Sequence, residues 1–119
     1  MVDAEQVVIS SGTEYLFYII FKLFNNKIYG LENPCHKMFK ELFLTNNISF
    51  KAISLDENGI VIDDLKKYDV NIAYVTPSHQ FPTGAIMSIS RRTELLNWAN
   101  ENTERYIVED DYDSEFKYT

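Results

Sequence analysis

Tyr74-Val75-Thr76-Pro77-Ser78-His79-Gln80-Phe81-Pro82-Thr83-Gly84 and Tyr106-Ile107-Val108-Glu109-Asp110-Asp111-Tyr112-Asp113-Ser114-Glu115-Phe116-Lys117-Tyr118 are the two stretches that decide the fold of this chain. Each starts as a short apolar run and breaks into polar and turn-forming residues, as a buried parallel strand does when it ends at a functional edge. The residues between them have a helical pattern. A strand, a helix and a strand in that order form a parallel unit, and ligands of such sheets bind beyond the carboxyl ends of the strands. The polar residues of both stretches therefore fall where chemistry is expected.

Working outward, the totals narrow the class. With 119 residues the chain is one domain at most, short for a complete α/β enzyme. A hydrophobic share of 45% and an aromatic share of 14% predict a packed core and exclude disorder. The formal net charge of −7 argues against a nucleic-acid surface on this segment, because phosphate binding needs clustered Lys and Arg. The single cysteine, Cys35, rules out an internal disulfide framework and points to a reducing compartment, with the cytoplasm as default. The most apolar run, Tyr15 to Phe24, carries Lys22 and is too short to span a bilayer, and no basic segment precedes it as in a signal peptide.

Read in order, Val7-Val8-Ile9 is a β-branched run that stops at Ser10-Ser11-Gly12-Thr13. Leu16, Ile19, Ile20, Leu23 and Phe24 then recur at helical spacing as an expected buried face. Ser11 or Thr13 can cap that helix while Gly12 turns the backbone, leaving N–H groups free to hold a phosphate. Taken alone, the turn is better explained as merely a good helix start. Lys27 to Leu31 reads as a strand, with Asn33 expected as N-cap, Pro34 at the first helical position and a helix to about Asn46, buried through Met38, Phe39, Leu42 and Phe43. A less buried strand is expected over Ile48 to Leu55, a turn at Asp56-Glu57-Asn58-Gly59, a short helix over Ile60 to Tyr68 and a strand over Asn71 to Val75. Ser88 or Ser90 can cap a helix to Asn100 that packs through Leu95, Leu96, Trp98 and Ala99, before a last strand over Arg105 to Val108. Regular alternation of this kind predicts an α/β fold, a three-layer αβα arrangement around a mostly parallel sheet.

The acidic segment after the last strand, with Glu109, Asp110, Asp111, Asp113 and Glu115, leaves three readings open. It is a divalent-cation site, a solvated loop, or the seat of one Asp acting as a specific ion-pair partner.

The two opening stretches, together with Arg91-Arg92-x-x-Leu95-Leu96-x-Trp98-Ala99, Ser11-Gly12-Thr13 and Glu32-Asn33-Pro34 in the same order, resemble the aminotransferase-like domain of MocR-type regulators. These belong to the GntR superfamily and join a winged-helix DNA-binding domain to a fold-type-I domain that binds pyridoxal 5′-phosphate (PLP). The resemblance covers nearly the whole chain and implies that residues 1–119 are part of the major domain of a fold-type-I PLP-dependent transferase. It implies that Asp110 pairs with the pyridine nitrogen, that Tyr112 hydrogen-bonds the ring hydroxyl, and that Gly12 and Thr13 cradle the phosphate. His36 falls where the family usually has a ring-stacking tyrosine, with Cys35 in place of the preceding glycine. His79, Gln80 and Phe81 lie in the loop that corresponds to an Asn-Pro-Thr-Gly loop, Phe81 replacing the asparagine.

No winged helix is found in residues 1–119, and no lysine of the chain stands in the Ser-rich motif that carries the family's Schiff-base lysine. The resemblance therefore implies a fragment of the cofactor domain without transaminase activity, whose parent binds DNA through the winged helix and responds to an amino acid or amine. An origin in a true PLP-dependent aminotransferase is the second expectation, and an Asp-rich, Mg²⁺-binding domain using Asp110, Asp111 and Asp113 the third. An incompletely covered sheet also predicts a homo-oligomer.

Overall fold

The computed structural model describes residues 3–6, 13–35, 37–76 and 86–110. Its strands are β1 (Tyr29–Asn33), β2 (Phe50–Asp56), β3 (Gly59–Ile60), β4 (Ile72–Val75) and β5 (Tyr106–Glu109), and its helices α1 (Thr13–Leu23), α2 (Lys37–Thr45), α3 (Ile62–Lys67) and α4 (Ile89–Asn100). All of β4 and all but the last residue of β1 are buried, the mark of central parallel strands covered on both faces. The strand order is β3-β2-β1-β4-β5, and every pair is parallel except β2 with β3.

Strand alternation sorts the core into two layers. Tyr29, Leu31, Ile72 and Tyr74 point to one face, where Phe17 and Phe21 of α1 and Leu42 and Phe43 of α2 cover them. Ile53, Ala73 and Val75 point to the other, against Ile62 and Leu65 of α3 and Leu95 and Trp98 of α4. This is the expected three-layer αβα fold around a mostly parallel sheet. Gly30 is needed where α3 comes closest to the sheet: a Cβ there would lie 3.0 Å from Ile53 and Leu65 side-chain carbons and 3.1 Å from Val70.

Several boundaries differ from the sequence expectations. Asn33 is a strand residue in register with Ser54, and α2 begins only at Lys37, so Pro34 is not its first helical residue; parallel pairing with β2 carries β1 further than its apolar run suggests. The buried side of α1 is Phe17 and Phe21, whereas Leu16 and Leu23 are 37% and 71% exposed. That helix is apolar nearly all round, so spacing could not choose its face; ring packing does, with Phe21 5.0 Å from Phe43 and Phe17 5.5 Å from Tyr74. Met38 and Leu96 are also exposed, at 39% and 58%. The hairpin partner β3 was not expected, and the expected strand at residues 7–9 lies outside the described residues.

The Arg91-Arg92 pair has a structural use. Ser88 caps α4 by accepting from the Arg91 N–H at 3.1 Å, and the Arg91 side chain reaches across the β2–β3 hairpin. Its two terminal nitrogens donate to the two Asp56 carboxylate oxygens at 3.0 and 2.8 Å, and one of them also donates to the Ile60 carbonyl at 2.7 Å. The guanidinium beside Asp56 holds its carboxyl below the usual carboxylate range. A depressed folded-state pKa contributes stability that is present above the unfolded value, about 4, and is lost as pH falls through the folded one. Arg91→Ala should therefore lower stability at neutral pH by about 1–2 kcal/mol, discounted for the exposure of Asp56. In urea denaturation the gap between variant and parent should narrow below pH 4; a gap that widens there would contradict the assignment.

Candidate functional site

Chain connections set where the site lies. From β1 the chain crosses by α2 to β2 on one side, then returns by α3 to β4 on the other side of β1, so the order reverses between β1 and β4. At such a reversal the two crossovers diverge and leave a crevice beyond the strand carboxyl ends. Described residues at these strand ends include Glu32, Cys35, Tyr74, Thr76, Glu109 and Asp110.

Glu32 and Thr76 close the gap between the two strand ends. The Glu32 carboxylate accepts from the Thr76 hydroxyl at 2.6 Å and from its backbone N–H at 3.3 Å, with both residues about 5% exposed or less. A buried carboxylate is sustained only by donors of this kind. Next to it, the Tyr74 hydroxyl donates to Oδ2 of Asp110, and the Asp110 backbone N–H donates to the Val75 carbonyl at 2.8 Å, extending the β4–β5 pairing by one residue. Burial first, then the Asp110 hydrogen bond and the negative charges of Asp110 and Glu32, push the Tyr74 phenol well above its ordinary range, so it stays a donor. The Cys35 thiol is pushed up chiefly by burial, against the opposing pull of Lys40, and remains a thiol rather than a nucleophile.

Asp110 and Tyr74 line a hollow of about 160 Å³ whose remaining walls include Leu16, Phe17, Ile20 and Val108. Glu109 also lines it, and mainly apolar walls with carboxylates at the edge suit a flat ring that carries a cationic nitrogen. Thr13 opens α1, the helix that supplies three of those walls, so the positive helix end lies near the same sheet edge. A larger hollow, about 360 Å³, opens at the opposite sheet edge beside Asn25, Asn46 and Ile48, and another of about 280 Å³ lies against α4 with Met87, Leu95 and Leu96. The second also takes in Glu109, the last residue of β5, but neither includes Asp110 or Glu32, and size alone does not outweigh the chemistry of those two residues.

Of the residues singled out from sequence, Asp110 directly follows β5 and is bonded by the Tyr74 hydroxyl, and Thr13 begins α1. Gly12, His36 and Tyr112 lie outside the described residues, as do His79, Gln80, Phe81, Asp111 and Asp113. Among the described residues no group of three or more His, Cys, Asp or Glu is gathered as metal ligands would be. Glu32, Tyr74 and Thr76 were not singled out as site residues. Glu32 carried a signal, an acid directly following the apolar end of a strand; Tyr74 carried none, since a strand tyrosine is most often core.

Such a crevice, with an acid just past the last strand, is the ligand-binding edge of an open α/β sheet. The kynurenine aminotransferase of Pyrococcus horikoshii, solved in complex with PMP and with kynurenine substrates, superimposes on 85% of the chain with a TM-score of 0.71 and 27% identity, the match covering 28% of that enzyme. The chain is 44% identical over 116 residues to the uncharacterized HTH-type transcriptional regulator YdeL of Bacillus subtilis, across 97% of its own length and 25% of the regulator's. It is 28% identical to the probable rhizopine catabolism regulatory protein MocR of Rhizobium meliloti, across 96% of its length and 23% of that protein. No protein-family model matches the chain. Its homologues over nearly the whole chain are HTH-type, GntR/MocR-like regulators, and its fold is that of the aminotransferases. The chain spans about a quarter of the length of the curated relatives it matches.

The Glu32–Thr76 pair makes the first test of the site's construction. Thr76→Val removes the hydroxyl donor from a buried carboxylate and should cost about 1–3 kcal/mol in urea denaturation; an unchanged unfolding midpoint would show that the pair does not hold the strand ends.

Proposed function

We propose that this segment is the cofactor-reading part of a PLP-responsive transcriptional regulator and has no transaminase activity by itself. The observation that carries the reading is the Asp110 carboxylate, held by Tyr74 just past the end of β5 and lining a mainly apolar, ring-sized hollow together with residues of the first turns of α1. Stronger likeness to regulators than to the aminotransferase supports regulation over catalysis.

The chain's own residues have distinct tasks in this reading. Asp110 accepts a hydrogen bond from the protonated pyridine nitrogen and holds the proton there. Leu16, Phe17 and Val108 exclude water from that ion pair and strengthen it. Thr13, the first residue of α1, and Gly12 before it in the sequence hold the phosphate; Tyr112 bonds the ring hydroxyl and His36 stacks on the ring. PLP, when bound, supplies an electron-accepting ring and an aldehyde that condenses with amines. An amino acid or amine is accordingly the effector class for the longer regulator, and DNA is reached through its winged helix. Among the described residues no helix is long and apolar enough to cross a membrane, and the cytoplasm is the proposed compartment.

An absorbance and fluorescence titration of the chain with PLP tests this. Binding should be saturable and weakened about tenfold or more by Asp110→Asn, the loss of one charge-assisted hydrogen bond. Equal binding by the variant, or none by the parent chain, would contradict the reading.

Self-association is the accompanying proposal. Leu23, Ile86 and Ile89 are 71%, 63% and 85% exposed, apolar side chains that a second copy would cover. Sedimentation should give a mass that rises with concentration, and a sharply melting monomer at all concentrations would rule it out.

A further inference from the structure

Asp110 is restrained from two sides. Its backbone is tied to β4 by the 2.8 Å bond to the Val75 carbonyl, and its side chain is tied at Oδ2 by the Tyr74 hydroxyl. Tyr74 itself has little freedom. It is 5% exposed, and its ring packs between Phe17 and Phe39, 5.5 Å from the centroid of each. A phenol held by packed aromatics, and kept protonated by burial, is a rigid donor. With Oδ2 engaged, Oδ1 is the carboxylate oxygen that accepts no bond from the described residues.

We infer that Tyr74 is a positioning residue of the cofactor site: by holding Oδ2 it fixes the Asp110 carboxylate in the rotamer that presents Oδ1 to the ring nitrogen of a pyridoxal-type ligand. The inference rests on the PLP reading above and adds to it the residue that aims the carboxylate. A carboxylate on a free side chain must be ordered when the ring arrives, which costs binding free energy; one already clamped is ordered in advance. Tyr74 touches no part of the ligand in this role and acts through Asp110 alone. Its contribution should therefore depend on the ring nitrogen, because that nitrogen is the group that Oδ1 meets.

Two probes separate this role from a merely structural one: PLP, and its carbocyclic analogue in which CH replaces the ring nitrogen. Dissociation constants for both are measured by NMR titration, which reads weak binding, on the chain, Tyr74→Phe, Asp110→Asn and the double variant. Phenylalanine keeps the ring between Phe17 and Phe39, so the fold is retained. Tyr74→Phe should weaken PLP about tenfold, the equivalent of one hydrogen bond, and leave the analogue unchanged. The double variant should bind PLP no worse than Asp110→Asn. If Asp110→Asn weakens PLP but Tyr74→Phe changes neither ligand, or weakens both equally, the positioning role is overturned while the cofactor reading stands. If the chain does not bind PLP, or binds it equally well as Asp110→Asn, the cofactor reading fails and the role of Tyr74 fails with it.

Discussion

Parallel pairing of β1 with both β2 and β4 is the constraint from which the rest of the structure follows. A strand with a parallel neighbour on each side must be entered and left by crossovers, and right-handed crossovers running in opposite directions put α2 and α3 on opposite faces. That separation produces the two hydrophobic layers and opens the crevice between the ends of β1 and β4. Glu32 and Thr76 then have a purpose. They join two strands exactly adjacent in the sheet whose chains diverge beyond it, at the one place where backbone pairing can no longer hold them together.

The two layers are built from different material. Aliphatic side chains and Trp98 fill the α3/α4 side, with Arg105 5.0 Å over the indole and donating to the Trp98 carbonyl at 2.8 Å. Rings dominate the α1/α2 side, where Phe17, Phe21, Phe39, Phe43, Tyr29 and Tyr74 meet edge to face or tilted. Burial alone pushes the Tyr29 phenol up to about 12. Aromatic packing has few rotamers to lose, so it transmits position well. Tyr74 lies at the end of this cluster and carries its rigidity to Asp110, which links a packing property of the core to the geometry of the site.

Much of this was legible in the sequence. β4 and β5 are legible as apolar runs that end in polar residues, and the cap of α4 is narrowed by its place before a helical pattern to Ser88 or Ser90, of which the structure uses Ser88; both rest on local signals. The α1 face was not legible, because Leu16, Ile19, Ile20 and Leu23 form as good a stripe as Phe17 and Phe21, and the choice is made by rings from other elements. β3 escaped notice because two residues carry no periodicity, and its pairing depends on the turn at Glu57-Asn58 and on Arg91 from a distant helix. Within the site, Asp110 came from the family resemblance, whereas the Tyr74 and Thr76 contacts are pairings across 36 and 44 residues, which spacing cannot reveal.

The central claim is that the carboxyl edge at β1, β4 and β5 receives a pyridoxal-type ligand. Mapping amide chemical-shift changes in the isotopically labelled chain as PLP is added tests it most directly. Changes concentrated at the start of α1, at Thr76 and at Asp110 are the predicted result. Changes confined to Asn25, Asn46 and Ile48, around the larger hollow at the opposite edge, would contradict it.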